Sequence, residues 1–511
     1  MEISRLRIFL LMATGVNAAL FLPVMGRGFI HDDFIHLYSV AYHSLSQGLT
    51  CANGGPFYTP IAWLTFKLDW LLWGKNAFLM AAGNLLLHIA NITLLRAFAL
   101  KLWRSQIAAR WAALGFALLF PANTWAVMWI STRAHLLVTF FYLAALIATI
   151  RLARTEGRRN WVIAAIVLFA TLSIFSKESG VTSPVAIAAM LIYIRRSEGG
   201  KILPLATIMA LFGSLAASLT VYAVLRARSE AIPITFSTRG WYSYAASLNV
   251  LFENLFRYGW RTYGLLGIMA LAIALSQVIR GRHPRLDSFT MSSAWLSVSL
   301  FGITIAPFIL LRGRSGIYTY LPGVAAAMLL GGTARSCYEA SPNRIGESWR
   351  DPRINEDREE NQRRPGFPHS SRSSLPRGLN IYLSAIPIFL VIALYCLLTV
   401  VHSLRWKRMA EINTFVLNRI AEYKIEPQPN TWFILTYSEA DNVHGFPDSM
   451  AHGFSCALRL LYGNPTLNGS IASQAELRHT KLQAPFIRLA YIHADDGSPR
   501  LVISSGESLV Y

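Results

Sequence analysis

The chain has 511 residues, of which 54% are hydrophobic and only 14% charged, with a mean hydropathy of +0.39. A soluble globular protein carries about 25% charged residues, so that class is excluded and a polytopic membrane protein is indicated. The formal charge of +20 does not point to nucleic acid: Lys and Arg lie between apolar runs or at their ends, without an aromatic-basic RNA-binding signature, which is the positive-inside pattern.

A bilayer core needs about 20 apolar residues per helix. In chain order, that rule places about eleven spans near 6–25, 77–99, 111–130, 134–150, 161–175, 180–194, 202–225, 261–279, 291–311, 317–334 and 380–402. The first follows Arg5 and Arg7 and has no small-residue cleavage site after it, so it reads as a retained span, not a signal peptide. A long loop, 27–76, comes next and opens with GFIHDDFIHL (28–37), which sets Asp32 and Asp33 side by side between His31 and His36. In its second half Trp63, Phe66, Trp70 and Trp73 recur at steps of three and four, the pattern of a helix lying in the membrane interface with its tryptophans at headgroup depth.

Six basic segments fall on one face when the spans alternate: Arg5/Arg7, Lys101/Arg104/Arg110, Arg151 to Arg159, Arg195/Arg196/Lys201, Arg280/Arg282/Arg285 and the stretch 335–378. This puts the N-terminus in the cytoplasm and the C-terminal segment outside. Segment 335–378 is rich in Pro, Ser, Arg and Glu and is expected to be a disordered cytoplasmic loop. A last transmembrane helix at 379–404 follows. In 405–511, Met409, Ile412, Val416 and Ile420 repeat at helical spacing, and 431–437, 486–492 and 500–504 read as strands. The expected fold class is therefore an all-α polytopic membrane protein with about eleven transmembrane helices and a small extracytoplasmic α/β domain. Cys51, Cys337, Cys396 and Cys456 form no CxxC pair, although Cys51 and Cys456 share a compartment and could bridge.

The polar residues left at the outer ends of the spans form a short set: Asp32, Asp33 and His36; Ser131, Thr132 and Arg133; Ser176, Lys177 and Glu178; Arg239, Arg257 and Arg261; Arg312 and Arg314. Cations outside run against the positive-inside bias, and an anionic partner at the outer leaflet would account for them. Glycosyl transfer from a lipid-phosphate sugar needs a base for the acceptor hydroxyl and cations for the departing phosphate. Asp32 or Asp33 would be the base, and Lys177 and Arg133 the foremost phosphate ligands. Neighbouring side chains diverge, so one aspartate would face the acceptor while the other orders the loop or holds a divalent cation. Asp32 and His36 stand at i, i+4 in a helix, which can serve a metal, but two ligands do not make a site. Plainer alternatives stay open: a solvated acidic loop, a Lys177–Glu178 ion pair beside Ser176 as N-cap of the next span, and a snorkelling Arg133.

Five segments in order, the acidic pair of the first loop, Tyr58-x-Pro60, WISTRAHLL (129–137), LSIFSKESGVTSP (172–184) and YTYLPGVAAAML (318–329), resemble the GT-C superfamily of membrane glycosyltransferases over roughly 5–330. The likeness is greatest to bacterial members and the membrane half of the transmembrane and tetratricopeptide-repeat O-mannosyltransferases. It is more distant to protein O-mannosyltransferases and the lipid A aminoarabinose transferase. The resemblance implies a GT-C catalytic region over 1–334, a polyprenyl-phosphate-linked sugar donor, and inverting transfer to a lipid, glycan or protein in the envelope outside the bacterial inner membrane. It implies Asp32 or Asp33 as catalytic acid and maps the SKES segment onto Lys177 and Glu178; with the outer-face set, the candidate donor-phosphate ligands are Arg133, Lys177, Arg312 and Arg314, with Glu178, His36, Tyr58 and Tyr320 in support. The chain departs from the family at Thr59, where an arginine is common, at Phe120-Pro121 in place of His-Pro, and at Ile317, with Arg314 displaced upstream. Competing readings are an O-antigen ligase or polymerase and a lipid or sugar transporter. The tail is expected to cover the site or select the acceptor.

Overall fold

The computed structural model describes residues 2–51, 57–155, 159–199, 203–229, 231, 242–245, 247–279, 288–339, 377–437, 450, 453–473, 485–493 and 498–505. Among the described residues sixteen α-helices run α1 (Glu2–Phe21), α2 (Asp33–Tyr42), α3 (Leu45–Thr50), α4 (Pro60–Trp73), α5 (Ala77–Trp103), α6 (Gln106–Ala117), α7 (Ala122–Met128), α8 (Arg133–Arg154), α9 (Asn160–Ser176), α10 (Ser183–Glu198), α11 (Leu205–Arg228), α12 (Leu248–Ile279), α13 (Ser288–Ile305), α14 (Gly323–Glu339), α15 (Arg377–Glu422) and α16 (Phe454–Tyr462). Four strands, β1 (Trp432–Tyr437), β2 (Asn468–Ser473), β3 (Phe486–His493) and β4 (Pro499–Ser505), form one sheet in the order β2-β1-β3-β4.

Each of the eleven apolar runs falls on a helix or a bent pair. Among the described residues six helices are long and apolar enough to cross a membrane, and α6 with α7, bent by 65°, makes up to seven. Of the helices on the remaining runs, α1 has 20 residues, α9 has 17, α10 has 16 and α14 has 17. The chain is a multi-pass membrane protein. Small residues bring α6 against α14: a Cβ on Gly331 would stand 2.5 Å from the Ala108 carbonyl oxygen, and one on Gly115 2.7 Å from Leu330. Close backbone approach of this kind is how helices associate in lipid, where burial of apolar area gives no preference between neighbours.

Three expectations change. The tail does not begin after a separate last span, because α15 runs 46 residues without a break through the expected boundary at 404. Segment 335–378 is helical at its start, where α14 continues to Glu339, and 340–376 lie outside the described residues. In α4, Trp63 and Phe66 face inward at 2% exposure, and the open face carries Leu68, Leu71, Leu72 and Trp73. Trp63 is held there by its Nε1–H, which donates to Ser39 Oγ at 2.9 Å. The expected strands correspond to β1, β3 and β4; β2, which the sequence reading missed, pairs parallel to β1. β1 and β3 are parallel and β3 and β4 antiparallel. All four cysteines are unbridged, Cys51 and Cys456 included.

Candidate active site

The loop after α1, the α7–α8 junction, the turn between α9 and α10 and the segments before α12 and α14 converge at one end of the bundle. Asp33, in the first turn of α2, is buried at 2% exposure. Its Oδ1 accepts from the Ser131 N–H at 2.7 Å and its Oδ2 from the Ile30 N–H at 3.1 Å. Burial raises its carboxyl to about 7 in spite of those two donors, which pull the other way, while neighbouring Asp32 adds to the rise. Asp33 thus ties the first loop to the α7–α8 junction. Asp32 occupies the N-cap position of α2 without a capping hydrogen bond from its side chain, and it is half-buried. Its charge acts on Lys177, Tyr242 and Tyr318, side chains from three other segments. The two aspartates therefore have different surroundings, one engaged by backbone and one within electrostatic reach of a cation and two phenols.

Lys177 follows the last residue of α9 in extended backbone, φ −162° and ψ 146°, and leads into a 3-10 turn at Glu178–Thr182. Its Nζ is 3.7 Å from Glu178 Oε2 and 3.1 Å from the ring centroid of Phe57. Burial lowers its pKa to about 8, against the pull of the Glu178 and Asp32 carboxylates. Glu178 in turn accepts the Tyr58 N–H on Oε1 at 3.0 Å, and the Tyr58 hydroxyl donates to the Leu49 carbonyl at 2.7 Å. Tyr58 and Glu178 therefore join the first loop to the α9–α10 turn. Phe57 also meets Tyr242 edge-on at 5.0 Å. Burial, with Asp32 nearby, pushes the Tyr242 phenol up to about 12, so it stays a neutral donor.

His36 stacks on Phe66 at 4.8 Å, and burial together with Lys177 and Arg133 lowers its pKa to about 4. A place between two cations suits an anion better than a metal. Among the described residues no three His, Cys, Asp or Glu side chains gather around a metal position.

Four sequence candidates are placed otherwise than expected. Arg133 is 3% exposed and closed in: it pairs with Asp69 at 2.5 Å, donates to Asn84 Oδ1 at 2.8 Å and to the Met80 carbonyl at 2.7 Å, and covers the Phe66 ring at 4.7 Å. It braces α4, α5 and α8 and has no open side toward a phosphate. Arg314 is clasped by both oxygens of Glu253, at 2.7 and 2.6 Å, and donates to Asn254 at 2.8 Å. Arg312 is exposed, and its backbone N–H donates to the Ser243 carbonyl at 3.0 Å. Tyr320 is wholly buried among helices, its hydroxyl 2.8 Å from His88 Nδ1 and 3.3 Å from Asn91. Ser176 is not an N-cap: it ends α9, and α10 starts at Ser183. Arg257 pairs with Glu253 at 2.8 Å, and Arg239 lies outside the described residues. Sequence reasoning missed Phe57 and Tyr242, and it noted Asp69 beside the α4 segment without its pairing to Arg133. Tyr318 lay within a quoted motif but was not singled out; its stacking on Phe308 at 4.3 Å fixes its ring.

Comparison with solved structures places this architecture. Superposed on the crystal structure of ArnT from Cupriavidus metallidurans bound to undecaprenyl phosphate, the chain gives a TM-score of 0.51 over 94% of its own length and 92% of that chain, at 11% identity. The chain has a GT-C fold. The apo state of the same ArnT gives 0.50, with 12% identity and coverage of 96% and 93%. The oligosaccharyltransferase AglB from Archaeoglobus fulgidus, in complex with an inhibitory peptide and a dolichol-phosphate, gives 0.43 at 11% identity, with coverage of 99% and 75%. No protein-family model matches the sequence, and no curated protein matches it either.

Proposed function

We propose that this GT-C protein is a membrane glycosyltransferase that moves a hexose, in the manner of the mannosyltransferases, from a polyprenyl-phosphate donor to a lipid, glycan or protein. In this reading it lies in a bacterial inner membrane, with its N-terminus in the cytoplasm and its first loop and tail outside. The observation that carries the reading is that the charge of Asp32 reaches Lys177, Tyr242 and Tyr318, side chains of three other segments gathered with it. The acceptor oxygen attacks the anomeric carbon as the bond from that carbon to the phosphate oxygen breaks, on the opposite face, which inverts the centre. The hydroxyl proton passes to the Asp32 carboxylate, and the polyprenyl phosphate leaves with its charge balanced by Lys177. Glu178 orients Lys177, and Asp33 fixes the loop on which Asp32 stands.

The test is sugar release from a panel of labelled polyprenyl-phosphate sugars by purified protein in lipid. Asp32→Asn should lower turnover by about 10²–10⁴ with donor binding retained, the range of a lost general base. Equal turnover in wild type and Asp32→Asn would overturn the assignment of the base. No turnover with any donor would overturn the reading as a whole.

A further inference from the structure

The chain around Asp32 is gripped from two sides, and one of those sides is the tail. From the bundle, Ser131 holds Asp33, and the Trp129 ring lies 5.3 Å from that of His31. From α15, Asn413 donates to the Phe29 carbonyl at 2.9 Å, Thr414 to the Arg27 carbonyl at 3.3 Å, and the Trp406 ring stands 6.1 Å from His31. Gly28, at φ +155°, passes so close to α15 that a Cβ would be 2.8 Å from the Ala410 carbonyl oxygen. Beyond Asp33, Phe34 is 4% exposed and packs in the core of the tail with Val416, Phe433, Phe454 and Leu458. Gly453, at the start of α16, completes the grip: a Cβ there would sit 2.2 Å from the His31 carbonyl oxygen and 3.1 Å from Phe34 Cβ.

His31 takes φ +47°, a left-handed conformation that a non-glycine residue holds only when its surroundings impose it. Those surroundings are Trp129 from the bundle, Trp406 from α15 and the bare backbone of Gly453. A residue in that conformation just before Asp32 sets the direction in which α2 begins and so where the Asp32 side chain starts.

Building on the transferase reading, we infer that Phe34 and Gly453 are positioning residues through which the tail domain sets the geometry of the base at Asp32. The tail is then part of the catalytic apparatus without touching the sugar, and a partner or acceptor bound to it acts on turnover through this contact.

The test compares Gly453→Ala, Phe34→Ala and Phe34→Leu with wild type in lipid, by turnover, donor affinity and backbone hydrogen exchange. Gly453→Ala and Phe34→Ala should lower kcat at least tenfold, leave donor affinity within about twofold, and speed exchange in 28–36 while 133–140 keeps its rate. Phe34→Leu, which refills the tail core, should restore most of the turnover. Unchanged kcat and exchange in the first two variants would overturn the inference, as would a parallel rise of exchange in every segment. Exchange is read whether or not sugar is transferred, so a wild type without turnover defeats the transferase reading while the coupling is still decided.

Discussion

Two corners of one site hold the same kinds of side chain and differ in how completely they are closed. At the α8 corner Arg133 meets a carboxylate, an amide oxygen, a backbone carbonyl and an aromatic face, and both oxygens of Asp33 receive backbone N–H groups. At the α9–α10 corner Lys177 stands 3.7 Å from Glu178 and over Phe57, and Glu178 lies 3.9 Å from Arg226, while each corner leaves one carboxylate oxygen, Asp69 Oδ2 and Glu178 Oε2, without a hydrogen bond among the described residues. A cation held by several partners at hydrogen-bond distance is architecture, whereas one whose carboxylate stands at 3.7 Å has room for a ligand's charge. Number and type of charges alone would have ranked the two corners equally.

The sharpest way to break this comparison is Arg133→Ala. It leaves Asp69 and Asn84 without their buried partner, and breaking a buried pair costs about 3–5 kcal/mol. The yield of monodisperse protein and the thermal midpoint in detergent should fall sharply, and a normal midpoint with weakened donor binding would make Arg133 a ligand after all. Lys177→Ala should do the reverse, with the midpoint nearly kept and donor affinity down about 10–100-fold, the scale of a charged hydrogen bond. Asp33→Asn comes next: the amide puts an N–H against one of two backbone donors, at a cost of about 1–3 kcal/mol, read as a lower midpoint with donor affinity unchanged.

The smallest expected effect is in pH. Lys177, at about 8 in the fold against an ordinary value of 10.5, is largely charged well below pH 8 and loses its charge as the pH rises through that value. Donor affinity should therefore decline as pH rises through about 8, and Lys177→Arg should flatten that decline. Stability has the opposite sign: between about 8 and 10.5 the unfolded chain binds a proton that the folded chain does not, so this residue's contribution rises with pH across that window. A decline of the same midpoint in Lys177→Arg would remove Lys177 as its source.

Much of the fold was legible because bilayer thickness imposes a length on each apolar run, and the eleven runs meet helices or a bent pair. Partners were not legible. Arg133 and Asn84 are 49 residues apart in sequence, and Tyr58 and Glu178 are 120 apart, so no local pattern announces either contact. The inward turn of Trp63 has the same origin, since a helix with apolar side chains on two faces does not declare which one meets lipid. Even the strand at 468–473 escaped notice because NGSIAS has few of the β-branched and aromatic residues by which strands are read.

The unbroken α15 has a mechanical consequence. At 1.5 Å per residue its 46 residues extend for about 69 Å, more than twice the roughly 30 Å of a hydrocarbon core. It acts as a lever anchored in lipid at one end, with the arm that bears Trp406, Asn413 and Thr414 at the other. A change in tilt of about 10° displaces a point 25 Å along such an arm by roughly 4 Å, more than a hydrogen bond tolerates. Membranes of different thickness change helix tilt, so the lipid around this span is mechanically connected to the loop that holds the aspartates.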